Sequence, residues 1–191
     1  YLGVHITNNL TWNQHIEYIT SKANRILGYL KRNFSLPRAP LKKSTLHHKC
    51  QRPILEYSCS IWDPGYATLI KILESVQNRS VRLILNNYNR TASITNMKIA
   101  LNLPLLSTCR KLSRLSLFHK IYYHNQILKS RLITPASYIS PRVDHHFKVH
   151  VPSQCTVTYS YSFLPRTCHE WNHLPASLVA ITDTDHFRKA L

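Results

Sequence analysis

Side chains that could do chemistry are concentrated near the C-terminal end of the chain, in the segment YSFLPRTCHEWNHLP at residues 161–175. Cys168, His169 and His173 stand there together with one carboxylate and one tryptophan. Cysteine and histidine are common zinc ligands, and a thiol beside a base is the usual arrangement of a cysteine nucleophile. The segment therefore raises two questions, whether it binds a metal and whether it forms a covalent catalyst.

The spacing of these residues does not favour a zinc site. Zinc fingers place two closely spaced cysteines before the long gap, whereas here twelve residues separate Cys155 from Cys168. His169 and His173 would share one face of a helix, but adding upstream histidines as ligands only makes a chance match easier. The same objection applies to a second group, His47, His48 and Cys50. We predict no metal ligand in this chain.

Covalent catalysis is disfavoured by geometry. Neighbouring residues of a helix or strand point in different directions, so His169 cannot easily act as base for the adjacent Cys168 thiol. We predict a packed Cys168 beside a surface histidine. Trp171 is surrounded in sequence by leucines and is predicted to be a core anchor, as are two further tryptophans, Trp12 and Trp62.

The carboxylates needed for nucleotidyl transfer are missing. That reaction requires at least two carboxylates converging on divalent metal ions, and the chain has no adjacent acidic pair. Asp183 and Asp185 stand where a terminal helix would begin, and helix capping explains them better. With only three glycines, a glycine-rich phosphate loop is excluded. We therefore predict no catalytic residue and no cofactor in this chain.

The charge of the chain predicts a polyanionic partner. The 191 residues include 25 Lys and Arg against 8 Asp and Glu, a net charge of +17. Nine basic residues and no carboxylate lie between Glu17 and Glu56, and eleven lie between Glu74 and Asp144. Tracts of one sign cannot neutralise themselves internally, so we expect them to face solvent or phosphates. Nucleic acid is the first candidate.

Cysteine number and hydropathy indicate an intracellular protein. Five irregularly spaced cysteines in a chain of this size are expected to be free thiols in a reducing compartment. No apolar run approaches the roughly 20 residues of a membrane span, so no membrane association is predicted. We expect a location in the nucleus or the cytoplasm.

Hydrophobic periodicity predicts a helical body at residues 7–128. Thr11 is expected to cap a first helix whose apolar stripe leaves Arg25 and Arg32 on the opposite side. A second helix would begin near Pro40 and kink or stop around Pro53. A third helix would follow the turn at residues 62–65 and place Lys71, Arg79 and Arg82 on its far side. Ser93 and Ser107 are expected to begin two more helices, the second reaching about His124.

Residues 129–191 are predicted to form a proline-rich appendix of strands and turns. Two stretches alternate in the manner of strands, at 143–151 and 157–163, which predicts a short β-hairpin or an extended arm. Asp183 or Thr184 would cap a short final helix. The predicted fold class is mainly α, a helical body with this appendix, preceded by a short strand at residues 1–6.

Eight segments form an ordered set: YLGV (1–4), LTWNQHI (10–16), KANRILGYLKRN (22–33), RPILEYSCSIWDP (52–64), LESVQNRSVRLI (73–84), RKLSRLSLFHKI (110–121), YSFLPRTCHEWNHLP (161–175) and HFRKAL (186–191). In this order they resemble the C-terminal part of the reverse transcriptase of a non-LTR retrotransposon, of the Jockey-like LINE type. The resemblance covers nearly the whole chain. It implies that YLGV closes a palm domain and that the thumb follows.

The resemblance implies an RNA-directed DNA polymerase whose Tyr-x-Asp-Asp carboxylates and divalent metal, Mg²⁺ by expectation, lie upstream of this chain. What remains would hold the template and primer, and its partners would be RNA, DNA and the upstream palm domain. Candidate backbone contacts, chosen from helix faces and basic tracts, are Arg25, Lys31, Arg32, Lys42, Lys43, Arg79 and Arg82.

Two alternatives belong to other classes. The chain could be a freestanding basic adaptor that binds nucleic acid or protein and has a zinc-binding tail. It could also be an inert transposon relic. Metal content and the upstream reading frame would distinguish these alternatives from the polymerase fragment.

Overall fold

The computed structural model describes residues 2–33, 52–153 and 155–191, and within these ranges the fold is mainly helical, as predicted. The helices are α1 (Asn13–Asn33), α2 (Arg52–Leu55), α3 (Ala67–Leu85), α4 (Ile94–Ala100), α5 (Leu106–His124), α6 (Gln126–Leu132), α7 (Val157–Ser160), α8 (Phe163–Asn172), α9 (Ala176–Val179) and α10 (Thr184–Ala190). The chain divides into two compact units. The first takes the described residues of Tyr1–Cys59 and Pro64–Cys109, and the second takes Ser60–Asp63 and Arg110–Leu191.

In the first unit, α1 packs against α2 and α3, and α3 packs against α4. The predicted apolar stripe of α1 is buried at Ile16, Ile19, Ala23, Leu27 and Leu30. That of α3 is buried at Leu69, Leu73, Val76 and Ile84. Apolar spacing near 3.6 residues therefore identified these two long helices correctly. Most of the predicted second helix, together with Lys42 and Lys43, lies outside the described residues.

Side-chain caps fix several helix ends. The Ser93 hydroxyl accepts a hydrogen bond from the Asn96 backbone N–H at 3.4 Å, and the Asp183 carboxylate accepts one from the His186 N–H at 2.6 Å. Both caps were predicted. Thr11 was expected to cap α1, but its hydroxyl donates to Asn9 Oδ1 and the helix begins two residues later. Likewise, α5 begins at Leu106 and not after Ser107.

The core of the second unit surrounds Trp171. It contains Leu115, Phe118 and Ile121 from α5, Cys168 and Trp171 from α8, Phe187 from α10, and Ile133, Val149 and Val179. The Trp171 ring lies 5.1 Å from the Phe118 ring between centroids, and its indole N–H donates to the Phe147 carbonyl oxygen at 3.1 Å. The indole N–H is the only polar group of the Trp171 side chain, and this hydrogen bond satisfies it. The side chain can therefore be fully buried.

The predicted β-hairpin is not confirmed, because residues 157–160 form the helix α7, residues 161–162 form a turn and α8 begins at Phe163. Val157, Tyr159 and Tyr161 are all exposed, so their alternation with polar residues does not mark a buried strand face. Thr156 instead caps α7 by accepting a hydrogen bond from the Tyr159 N–H, and α8 follows immediately. A local side-chain cap has overridden the alternating pattern.

Residues 143–151 contain one isolated antiparallel bridge, between Val149 and Pro135. The Asn172 side chain supplies the pairing that a partner strand would give. Its amide donates to the Val149 carbonyl oxygen at 2.8 Å, and its oxygen accepts from the Val149 N–H at 2.9 Å. The described residues 2–6 also form no strand; Leu2 and Gly3 adopt a turn with positive φ. Pairing of this segment with a palm domain remains a prediction.

A buried ion network holds Ser60–Asp63 in the second unit. The Asp63 carboxylate accepts from Arg110 Nε at 2.7 Å and is paired with the Arg114 guanidinium, and both arginines are almost fully buried. Arg114 also donates to Glu170 at 2.7 and 2.8 Å, and Arg166 lies 3.1 Å from Asp63. Three guanidinium groups thus share two carboxylates. Trp62, fully buried next to Asp63, adds apolar packing to the same short segment.

Replacing Trp171 with Ala should lower the free energy of unfolding by about 3–5 kcal/mol, because it removes the centre of this core and its indole hydrogen bond. Urea unfolding followed by circular dichroism measures the change. Trp12→Ala is the control, since Trp12 is only half-buried and should cost less. Equal losses for the two variants would contradict the assignment of Trp171 as the anchor.

Asp63→Asn should destabilise the protein by about 3–5 kcal/mol, because it removes one of the two carboxylates that the buried guanidinium groups share. The comparison is Asp183→Asn, in which an exposed N-cap is exchanged for a residue that caps equally well. Urea unfolding of both variants would show a large shift of the midpoint for the first alone. A similar midpoint for the two would mean that the network contributes little.

Candidate nucleic-acid interface

One exposed stripe of α1 carries both cations and aromatic rings. Tyr18, Lys22, Arg25, Tyr29 and Arg32 follow one another at intervals of four, three, four and three residues, and all five are exposed. At 100° per residue they fall within about 80° of the helix circumference. We call these five residues the α1 stripe. It lies opposite the buried face of the helix.

The cations of the stripe have no internal partner among the residues that the structure describes. Within the described part of the chain, Lys22, Arg25 and Arg32 make no hydrogen bond or ion pair with another side chain. Lys22 and Arg25 line a shallow groove of about 440 Å³ together with Gln14, Glu17, Tyr18 and Ser21. Glu17, the carboxylate nearest in sequence to the stripe, lines the same groove.

The buried face of α1 adds no charge at neutral pH. His15 lies there, 1% exposed, and its pKa is lowered from 6.5 to about 4 by burial and secondarily by the nearby His5. The neutral ring accepts a hydrogen bond from the His5 backbone N–H through Nδ1 at 3.3 Å. The positive field of this helix therefore comes from its exposed residues.

The structure separates the predicted contact residues by what they already bind. Arg79 donates to Asn24 Oδ1 at 2.9 Å, which links α3 to α1. Arg82 donates to the carbonyl oxygen of Asn89 at 2.7 Å and closes the loop after α3. Lys31 lies over the Tyr88 ring, 5.1 Å from its centroid, in a cation–π contact. Arg25 and Arg32 have no such internal contact among the described residues and are the strongest candidates.

The expectation that both basic tracts face solvent or phosphates is wrong for three residues of the second tract. Lys98 pairs with Glu74 at 2.8 Å, and Arg110 and Arg114 pair with Asp63. Each uses a carboxylate that lies outside its own tract in sequence. Internal neutralisation across long sequence separations explains the error.

The reactive-looking segment at residues 161–175 has a structural explanation. Cys168 is 1% exposed in the core, and burial raises the pKa of its thiol from 9.0 to about 11. Glu170 belongs to the buried ion network, and His173 Nδ1 is hydrogen-bonded to the His169 carbonyl oxygen at 2.7 Å. Across the described residues, no group of three or more histidine, cysteine, aspartate or glutamate side chains is placed to hold a metal ion.

Sequence reasoning missed the tyrosines of the α1 stripe. Tyr18 is 47% exposed and Tyr29 is 56% exposed. Their signal was present, because both fall on the side of the helix opposite the predicted apolar stripe and continue the spacing of the cations. The predicted contacts were limited to Arg and Lys, although two aromatic rings share their face of the helix.

Comparisons with known protein families, with curated proteins and with solved structures find no match to this chain. Among the described helices, none is long and apolar enough to cross a membrane. Any functional proposal therefore depends on the residues of this chain.

Cys155 should react with iodoacetamide far faster than Cys168, because Cys155 is exposed whereas Cys168 is buried with a raised pKa. At pH 8, a pKa of about 11 leaves about one thousandth of the Cys168 thiol as thiolate. Peptide mapping by mass spectrometry at timed intervals gives both rates. In urea the two rates should converge, and fast labelling of native Cys168 would contradict its placement in the core.

Proposed function

We propose that this chain is the noncatalytic, thumb-like region of an RNA-directed DNA polymerase of a non-LTR retrotransposon, and that it binds template–primer nucleic acid. The observation that carries the binding proposal is the α1 stripe, whose Lys22, Arg25 and Arg32 are exposed and make no ion pair with the described residues. The ordered sequence segments support the parent class.

The electrostatic argument follows from the distribution of charge. Several carboxylates of the chain are already used internally, Asp63 and Glu170 with three arginines, Glu74 with Lys98 and Asp144 with Lys148. The exposed cations therefore outnumber the carboxylates left to balance them. A surface of this kind attracts phosphates, and binding gains free energy by releasing the counterions condensed on the nucleic acid.

The proposed role does not include the polymerisation step. Asp63 and Glu170 are held by arginines, and Asp183 accepts the capping hydrogen bond of α10. A carboxylate neutralised by a guanidinium is a poor ligand for Mg²⁺, which needs negatively charged oxygens. The palm domain of the parent protein would catalyse nucleotide addition at the primer terminus, and this region would bind the template–primer.

Binding should weaken steeply with salt, and Arg25→Gln should reduce the steepness. If Arg25 contacts one phosphate, the slope of log K against log salt should become shallower by about 1. The measurement is fluorescence anisotropy of the full chain with a labelled RNA–DNA hybrid across a salt series. Arg188→Gln is the matched control, because Arg188 is also exposed and helical but lies on α10.

Affinity that does not fall as salt rises would exclude phosphate contact as the mechanism. Equal slope changes for Arg25→Gln and Arg188→Gln would indicate diffuse attraction by net charge, and would remove the α1 stripe as the interface. Circular dichroism of each variant verifies that the helices are intact.

A further inference from the structure

The order of residues along the α1 stripe suits a ligand with both phosphates and exposed bases. We infer that the stripe binds an unpaired stretch of nucleic acid, with bases stacked on Tyr18 and Tyr29 and phosphates held by Lys22, Arg25 and Arg32. This inference rests on the proposed function and narrows its ligand to the single-stranded part of a template–primer.

The tyrosine rings are available for stacking. Tyr29 makes no ring contact with another described residue and is 56% exposed. Tyr18 contacts the His5 ring at 4.5 Å between centroids, with the planes tilted by 45°, and remains 47% exposed. Neither ring contributes to the buried face of α1, so core packing does not account for tyrosine at these positions.

The presence of rings beside the cations favours a single strand over a duplex as the ligand. Paired bases in a duplex are stacked on one another, so a helix lying on its backbone meets phosphates and cannot reach base faces. An unpaired strand offers both, and proteins that bind such strands combine aromatic platforms with a basic track. On a duplex, only the three cations of the stripe would be used.

The length of the stripe sets the size of the ligand. Tyr18 and Tyr29 are eleven residues apart, which at the helical rise corresponds to about 16 Å. A stacked strand rises about 3.4 Å per nucleotide, so the two rings would bracket roughly five nucleotides. Lys22 and Arg25 lie between the rings, where the intervening phosphates would pass.

The decisive experiment compares three labelled ligands of one sequence with the full chain at fixed salt: a 12-nucleotide single strand, the blunt RNA–DNA hybrid, and the hybrid with a five-nucleotide template overhang. Tyr29→Leu should weaken binding of the single strand and of the overhang ligand by roughly five- to hundredfold, the range for loss of one stacked base. Binding of the blunt hybrid should be unchanged, because it uses cations only.

Two variants separate stacking from general damage. Tyr29→Phe keeps the aromatic face and should bind the single strand like the unmodified chain. Tyr138→Leu removes a tyrosine that is 71% exposed in the second unit and should have no effect on any ligand. Leucine is a good helix former, so Tyr29→Leu is expected to leave α1 folded, as circular dichroism would verify.

The outcomes distinguish this inference from the proposed function. If the blunt hybrid binds with a salt-dependent affinity that equals that of the single strand, and Tyr29→Leu changes neither, the inference fails and the proposed function stands. If no ligand binds with a salt-dependent affinity, both fail. A loss with Tyr29→Phe as large as that with Tyr29→Leu would also overturn stacking, since it would point to the hydroxyl group.

Discussion

The interaction on which the second unit depends is the buried pairing of Asp63 with Arg110 and Arg114. Two arginines on α5 are almost completely removed from water, and this is tolerable only where a carboxylate meets them. That carboxylate comes from a segment 47 residues earlier in the chain. The pairing, together with the buried Trp62, explains why Ser60–Asp63 belong to the same compact unit as the part of α5 that begins at Arg110 and the helices α6 to α10. Glu170 extends the network to α8 and so connects it to the helix that carries Trp171.

The scarcity of carboxylates then shapes the surface. The chain has eight, and the fold places several of them against cations that are wholly or partly buried. An internal pair removes one charge of each sign, so the net charge is unchanged, but fewer carboxylates remain to pair with the exposed cations. On α1, the residues after Glu17 contain no acidic side chain. The single sign of the α1 stripe follows from the sequence of the helix, and the internal pairing of carboxylates elsewhere leaves few to offset it; both features support the proposed phosphate-containing partner.

How much of the fold the sequence could predict depended on the range of the interactions involved. α1 and α3 have long apolar stripes that pack on each other, and both were predicted from periodicity alone. The Ser93 and Asp183 caps are contacts within three residues and were also readable. The structure of the appendix could not be predicted in this way, because it depends on contacts between residues that are distant in sequence. Asn172 pairs with the Val149 backbone across 23 residues in place of a β-strand, and no local pattern predicts an amide in that role.

The candidate site shows the same division between local and distant interactions. Helix periodicity placed Arg25 and Arg32 on an exposed face, and the structure agrees. Periodicity also placed Arg79 and Arg82 on an exposed face and made them candidate contacts. In the structure, however, Arg79 donates a hydrogen bond to Asn24, and Arg82 donates one to the loop after α3. Whether a cation is free for a ligand is decided by tertiary neighbours, whereas the face of a helix on which it lies is decided by spacing. The tyrosines illustrate the complementary case: the spacing of Tyr18 and Tyr29 places them on the face opposite the core, and the described structure leaves both rings exposed beside the cations of the stripe. On the proposed function, the two rings and three cations of this stripe would hold both the bases and the backbone of a strand, whereas a basic surface without rings would contact the backbone alone.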